Sequence, residues 1–168
     1  MEALVYKSTG SWYQVKGADG KMMQARVKGK LKMDDITSTN PVAVGDWVDL
    51  AVDPVTREAN ITGVHTRRNY INRQSPHRRH QHHIVASNLD QCLLFATLRE
   101  PRTSLGFIDR FLVTAEAFHV PAILVFNKLD IYREKEKDAL QEIQAIYGPI
   151  GYRVMALSLQ TGEGLPQL

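Results

Sequence analysis

Cysteine is almost absent from this chain of 168 residues: Cys92 stands alone. An internal disulfide and a cysteine-built zinc cage are thereby excluded, and Cys92, inside the apolar run QCLLFATL, reads as core rather than as a reactive thiol. Long apolar runs are missing as well. CLLFATL and VPAILVF stop far short of the roughly 18 residues that a membrane span needs, and MEALVYKSTG has no basic start leading into an apolar stretch. No membrane partner and a cytoplasmic location are therefore expected. Acidic residues are absent from one region, between Glu58 and Asp90, where Arg67, Arg68, Arg73, Arg78 and Arg79 fall together with five histidines. The net charge is only +3, so the positive charge is concentrated rather than general. Such a patch suits a polyanion, and an anionic membrane less well because no apolar helical stripe accompanies it.

What is present divides into two patterns. A chain that is 43% hydrophobic and 23% charged can bury one good core or two small ones. Up to Val64 the segments are short, strand-like and separated by turns: LVYKS, SWYQV, MQARVKGKL, DWVDLAVD and ANITGVH. In DWVDLAVD, Val48, Leu50 and Val52 alternate with Asp49, Ala51 and Asp53, the period of a half-buried strand. Five such segments predict a small barrel over 1–65, of the five-stranded OB type by count and size, with SH3-like barrels similar at this level. The basic segment 66–83 reads as a linker. Over 84–168, QCLLFATL and PAILVF are continuous apolar runs expected in parallel strands buried on both faces. Ile108, Phe111, Leu112 and Ala115 recur at helical spacing between them, as do Ala139, Leu140, Ile143, Ile146 and Tyr147 before Gly148-Pro149, and YRVMAL reads as a third strand. The fold class expected is a β-barrel followed by part of an α/β domain with a parallel sheet.

The chemistry concentrates in VFNKLD. Asn127, Lys128 and Asp130 lie just past the carboxyl end of a predicted strand, where ligands meet open α/β sheets. Guanine offers two adjacent donors, N1–H and the 2-amino group, which the Asp130 carboxylate can accept together; adenine's bare N1 would leave it unpaired. Asn127 can bond the base and tie loops together, and the Lys128 stem can lie along the base plane. The tetrapeptide by itself also suits a helix cap. Further support comes from Ser158-Leu159-Gln160-Thr161-Gly162-Glu163-Gly164, which resembles the second base-contacting loop of GTPases, with Leu159 in the usual alanine position and its backbone N–H as donor to guanine O6. The phosphate-binding pattern G-x-x-x-x-G-K-[ST] is absent. Gly17-Ala18-Asp19-Gly20-Lys21-Met22 has the wrong glycine spacing and reads as a hairpin turn. Base-reading motifs with no phosphate loop before them predict a permuted order, with that loop expected beyond Leu168.

That order behind a small basic barrel resembles the ribosome small-subunit-dependent GTPases, the RsgA or YjeQ family of circularly permuted GTPases. The likeness rests also on ARVKGKL, VAVGDWVDL, RRNYINRQSP, ASNLDQ and FIDRFLVTAEAFHVPAILVFNKLD, in this order along the chain. It implies an OB-fold barrel that binds ribosomal RNA, a GTPase domain using GTP or GDP with magnesium, and a zinc-binding domain after it. It also implies a role in late maturation of the small ribosomal subunit, which stimulates GTP hydrolysis. On this resemblance the chain is an N-terminal fragment, expected to be monomeric and inactive alone, with no catalytic residue and no metal ligand of its own. Asn127, Lys128, Asp130, Ser158 and Leu159 are its guanine-binding residues.

A second reading makes the polypeptide an RNA- or ribosome-binding module with the α/β part as scaffold. Either way Arg26, Lys28, Lys30 and Lys32, at alternate positions, are expected to join Arg67, Arg68, Arg73, Arg78 and Arg79 in contacting rRNA phosphates. His77 to His83 packs four imidazoles into HRRHQHH but matches no common zinc spacing. Trp12, Tyr13 and Trp47 could stack on RNA bases, although aromatic residues in barrel strands are more often core.

Overall fold

A computed structural model describes residues 1–27, 40–56, 58–74 and 82–168, in two compact units, Met1–Leu89 and Asp90–Leu168. In the first unit, β1 (Glu2–Thr9), β2 (Trp12–Gly17), β3 (Met22–Val27), β4 (Trp47–Val52) and β5 (Ala59–Val64) close a barrel in the order β1-β2-β3-β5-β4. All pairings are antiparallel except β3 with β5, and this closed five-stranded arrangement is an OB-fold. Alternation decides what fills it: Val48 and Leu50 point inward beside Val5, Val15, Ala25 and Ile61, while Trp47 and Asp49 face water. Of the three aromatic residues considered for stacking, Tyr13 is core, and Trp12 and Trp47 are exposed.

The linker expected over 66–83 is corrected by the structure. β6 (Tyr70–Gln74) and β7 (His82–Ser87) form an antiparallel pair within the first unit, and the division between units falls after Leu89. Much of what fixes this pair is polar and therefore invisible to hydrophobic periodicity, although Ile84 of β7 is also buried. Asp46, fully buried, accepts from Ala43 N at 2.8 Å, from Arg67 Nε at 2.7 Å and Nη2 at 2.6 Å, and from the Ser87 hydroxyl at 2.5 Å. Ser87 N donates to Val44 O, and Asn88 Nδ2 to Gly45 O. The approach is close enough that a Cβ on Gly45, where φ is +87°, would lie 2.1 Å from Ser87 O.

In the second unit, β8 (Cys92–Ala96), β9 (Ala122–Phe126) and β10 (Arg153–Ala156) form a parallel sheet ordered β10-β9-β8. α1 (Leu105–Ala117) follows β8, and α2 (Glu134–Tyr147) follows β9. Ser104 caps α1 by accepting from Phe107 N, while the Glu136 carboxylate in the first turn of α2 accepts from Arg133 N at 3.0 Å. Leu94, Ala96, Leu124 and Phe126 of the strands share one cluster with Ile108 and Leu112 of α1 and with Leu140, Ile143 and Tyr147 of α2. Both helices therefore cover the same sheet face. On the opposite parity of β8, Leu93 is 37% and Phe95 45% exposed, so burial on both faces, expected from the continuous apolar run, does not hold for this strand. Among the described residues no helix is long and apolar enough to cross a membrane.

Candidate guanine-binding site

β9 is tied to β8 up to its last residue and beyond, because Asn127 N donates to Ala96 O at 2.9 Å. The chain then turns sharply: Lys128 adopts φ +71°, and Leu129–Ile131 makes one 3₁₀ turn. The turn presents the motif side chains together at the carboxyl end of the sheet. Asn127 Oδ1 accepts from Lys128 N at 2.7 Å and from Leu159 N at 3.1 Å, so one carboxamide oxygen clamps its own turn and the loop that follows β10. The Asn127 Nδ2 donor has no partner among the described residues.

Asp130 is held in the same way. The Ser158 hydroxyl donates to Asp130 Oδ1 and accepts from Thr161 N at 3.1 Å. Ser158 itself is fully buried, with its N–H on Glu163 O and its carbonyl receiving Gly162 N, each at 2.9 Å. Asp130 Oδ2 keeps no partner among the described residues and remains an acceptor. Gly164 closes the loop at φ +77°, where a Cβ would lie 2.4 Å from Ala156 O; only glycine fits without moving the backbone. Beneath the turn, the Tyr132 hydroxyl donates to Asn127 O at 2.8 Å and accepts from Leu98 N at 2.9 Å. Burial pushes the Tyr132 pKa up, which keeps that donor protonated. Lys128 Nζ donates to the carbonyl of Glu100, leaving the lysine stem as the part available to a base.

The five guanine-site residues named from sequence thus come together, with one difference in detail. The Leu159 N–H, expected to donate to the base, is engaged by Asn127. Its side chain is 56% exposed. The next backbone donor, Gln160 N–H, has no acceptor among the described residues, and sequence reasoning missed it because backbone direction in a loop leaves no residue-type signal. Sequence reasoning also missed a cavity of about 480 Å³ in this unit, which places Arg99, Arg102, Arg133 and Lys135 near Glu100 and Glu136. These cations come from two separate stretches of sequence and meet only where the loop after β8 comes against the start of α2. No group of three or more potential metal ligands occurs among the described residues.

Of the nine residues expected to contact RNA, four lie among the described residues. Lys28, Lys30, Lys32, Arg78 and Arg79 lie outside the described residues, as do His77 and His80 of the histidine cluster. Arg67 is corrected: its side chain is 5% exposed and locked on Asp46, so it is an internal strut. Arg68 Nη2 reaches Leu89 O at 3.0 Å. Arg26 pairs with Glu58 and lies over the Trp12 ring, whereas Arg73 is exposed on β6.

Residues 64–168 match the family described as RsgA GTPase, and residues 2–58 match the RsgA N-terminal domain. The small ribosomal subunit biogenesis GTPase RsgA of Cytophaga hutchinsonii is 47% identical across 100% of this chain and 55% of that protein. Its namesake in Flavobacterium psychrophilum is 49% identical across 100% of this chain and 52% of its own length. Among solved structures, YloQ, described as a circularly permuted GTPase, superposes with a TM-score of 0.67 at 26% identity over 95% of this chain and 52% of that one. The chain spans about half the length of the curated relatives it matches. With the barrel matching one part of the family and the Asn127–Asp130 turn lying within the other, the chain belongs to the RsgA GTPase family.

Proposed function

We propose that this chain supplies the guanine-reading half of a GTPase that works on the small ribosomal subunit, with the barrel binding ribosomal RNA. The observation that carries the nucleotide half is the double clamp of Asn127 on Leu159 and Ser158 on Asp130. It fixes the carboxylate while leaving Asp130 Oδ2 and Asn127 Nδ2 without partners among the described residues, an acceptor and a donor on the turn at the end of a parallel sheet. A guanine edge satisfies both, and Gln160 N–H supplies the donor for O6.

The residues present do not extend to the rest of the ligand. G-x-x-x-x-G-K-[ST] is not found in the sequence, and no metal-ligand cluster occurs among the described residues, so no magnesium-assisted step is assigned to them. Hydrolysis needs the γ-phosphate and water held in place. A base-reading half site must also offset the cost of immobilising its ligand, and millimolar affinity, roughly −4 kcal/mol, is the expected ceiling for GTP on these residues. The small subunit as partner is proposed on the names of the relatives, and its stimulation of hydrolysis and a cytoplasmic location are proposed on the family resemblance.

The test is calorimetry with GTP, GDP and ATP on this chain and on one extended to the length of its relatives, beside a turnover assay. Micromolar guanine-selective binding and phosphate release in the extended chain, with neither in the shorter one, are expected. Micromolar GTP binding by these residues alone would show that a phosphate site exists within them; equal binding of ATP would remove the guanine assignment.

A further inference from the structure

The barrel carries a cleft of about 310 Å³ lined by Trp12, Met23, Gln24, Arg26, Glu58 and Ala59. Its walls come from β2, from β3 and from the start of β5, and the face of strands 2 and 3 is where five-stranded barrels of this type take oligonucleotides. Trp12 and Tyr13 are adjacent in β2 and face opposite ways. Tyr13 is 3% exposed and fills the core, while Trp12 keeps 47% of its surface in water. Arg26 stands opposite Trp12 in register, with its guanidinium carbon 4.9 Å from the ring centroid and Nη2 2.5 Å from Glu58 Oε1. Two flat groups are thus stacked and pinned before any ligand arrives. Glu58 Oε2 and the Gln24 amide have no hydrogen-bond partner among the described residues.

The charges decide what chemistry fits. One arginine and one carboxylate cancel, so the cleft is not a phosphate site, and phosphate contacts need cations that are not already paired. A flat, uncharged ring with hydrogen-bonding groups on one edge matches an exposed indole, a stacked guanidinium and two free polar groups.

We propose that this cleft holds one unpaired RNA base, stacked on the Trp12–Arg26 pair and read on its edge by Glu58 and Gln24. The proposal rests on the RNA-binding half of the function proposed above and names the element of RNA that the barrel recognises. A carboxylate only accepts, so bases with an exocyclic amino group are preferred to uracil. A strand is the source rather than a free nucleotide, since the neighbouring nucleotides carry part of the cost of immobilisation that a lone base would bear entirely.

The experiment uses this chain with Trp47→Phe, so that Trp12 is the only indole, and a labelled single-stranded RNA pentamer of uridines with a central adenosine. The same strand with a central abasic site and AMP alone complete the set. Binding of the adenosine strand should quench Trp12, and affinity by anisotropy should fall about tenfold for the abasic strand and for Trp12→Ala, while Trp12→Phe largely retains it. Glu58→Gln should reduce the preference for adenosine over uridine at the centre, with an unchanged urea midpoint showing an intact barrel. Equal affinity for the intact and abasic strands, or for Trp12→Ala, overturns the base cleft while leaving RNA binding standing. AMP binding as tight as the strand overturns the RNA source, and no binding of any strand at low salt overturns both this proposal and the RNA-binding reading.

Discussion

Asp46 carries a charge with no access to water and is satisfied by four hydrogen bonds, two of them from Arg67. Removing one partner of such a pair leaves the other charge buried and uncompensated, so Arg67→Met should lower stability by about 3–5 kcal/mol, seen as a fall in the urea midpoint. A phosphate-binding arginine would give almost no change in that midpoint. Tyr147 makes a different residue-level test. Burial, and then its 2.6 Å bond to Asp109, pushes its pKa up to about 12. In the unfolded chain a tyrosine titrates near 10. Between about pH 10 and about 12 the unfolded chain releases a proton that the folded chain keeps, so this contribution is fully present below 10 and is lost as pH rises. Tyr147→Phe should flatten that part of the decline in urea midpoints measured from pH 9 upward, and an unchanged slope would contradict the account. Both residues show where sequence reading stops. Asn127, Lys128, Asp130 and Ser158 were legible because residue type and spacing together state a chemistry, whereas the arginine count of 66–83 carries no sign that Arg67 is buried.

Elements differ in how openly they are written. Both helices follow their periodic apolar residues, although Ile146 of α2 stays exposed, and the barrel strands follow their alternation, because burial on one face imposes a period. β6 and β7 escaped notice because bonds through Asp46, Asn88 and Gly45, more than apolar burial, hold them in place. The exposed face of β8 escaped because an apolar run does not say which of its faces is covered. The loop after β10 gives the sharpest element-level prediction. Gly164→Ala must strain a backbone at φ +77° and push against Ala156 O, costing at least about 1–2 kcal/mol and displacing the segment that positions Ser158. Guanine-nucleotide affinity in the family-length protein should fall with it. Ser104→Ala, by contrast, removes only the cap of α1, and about 1 kcal/mol of stability should go with little effect on nucleotide preference. Thermal melts beside nucleotide titrations separate the two.

At the scale of the whole molecule, each of two units has its own core and its own candidate chemistry: a barrel with an aromatic cleft, and a parallel sheet ending in a base-reading turn. The order of those units, with guanine motifs and no phosphate loop before them, was legible in the sequence and agrees with the likeness to a circularly permuted GTPase. Asp130 is proposed to select guanine, and the nucleotide preference of Asp130→Asn in the family-length protein is the decisive measurement. An amide cannot accept both guanine donors, while xanthine replaces the 2-amino group with a carbonyl that an amide can serve. GTP affinity should fall by on the order of 1–3 kcal/mol and xanthosine triphosphate affinity should rise. An Asp130→Asn protein that still prefers GTP to xanthosine triphosphate as strongly as the parent would contradict the account.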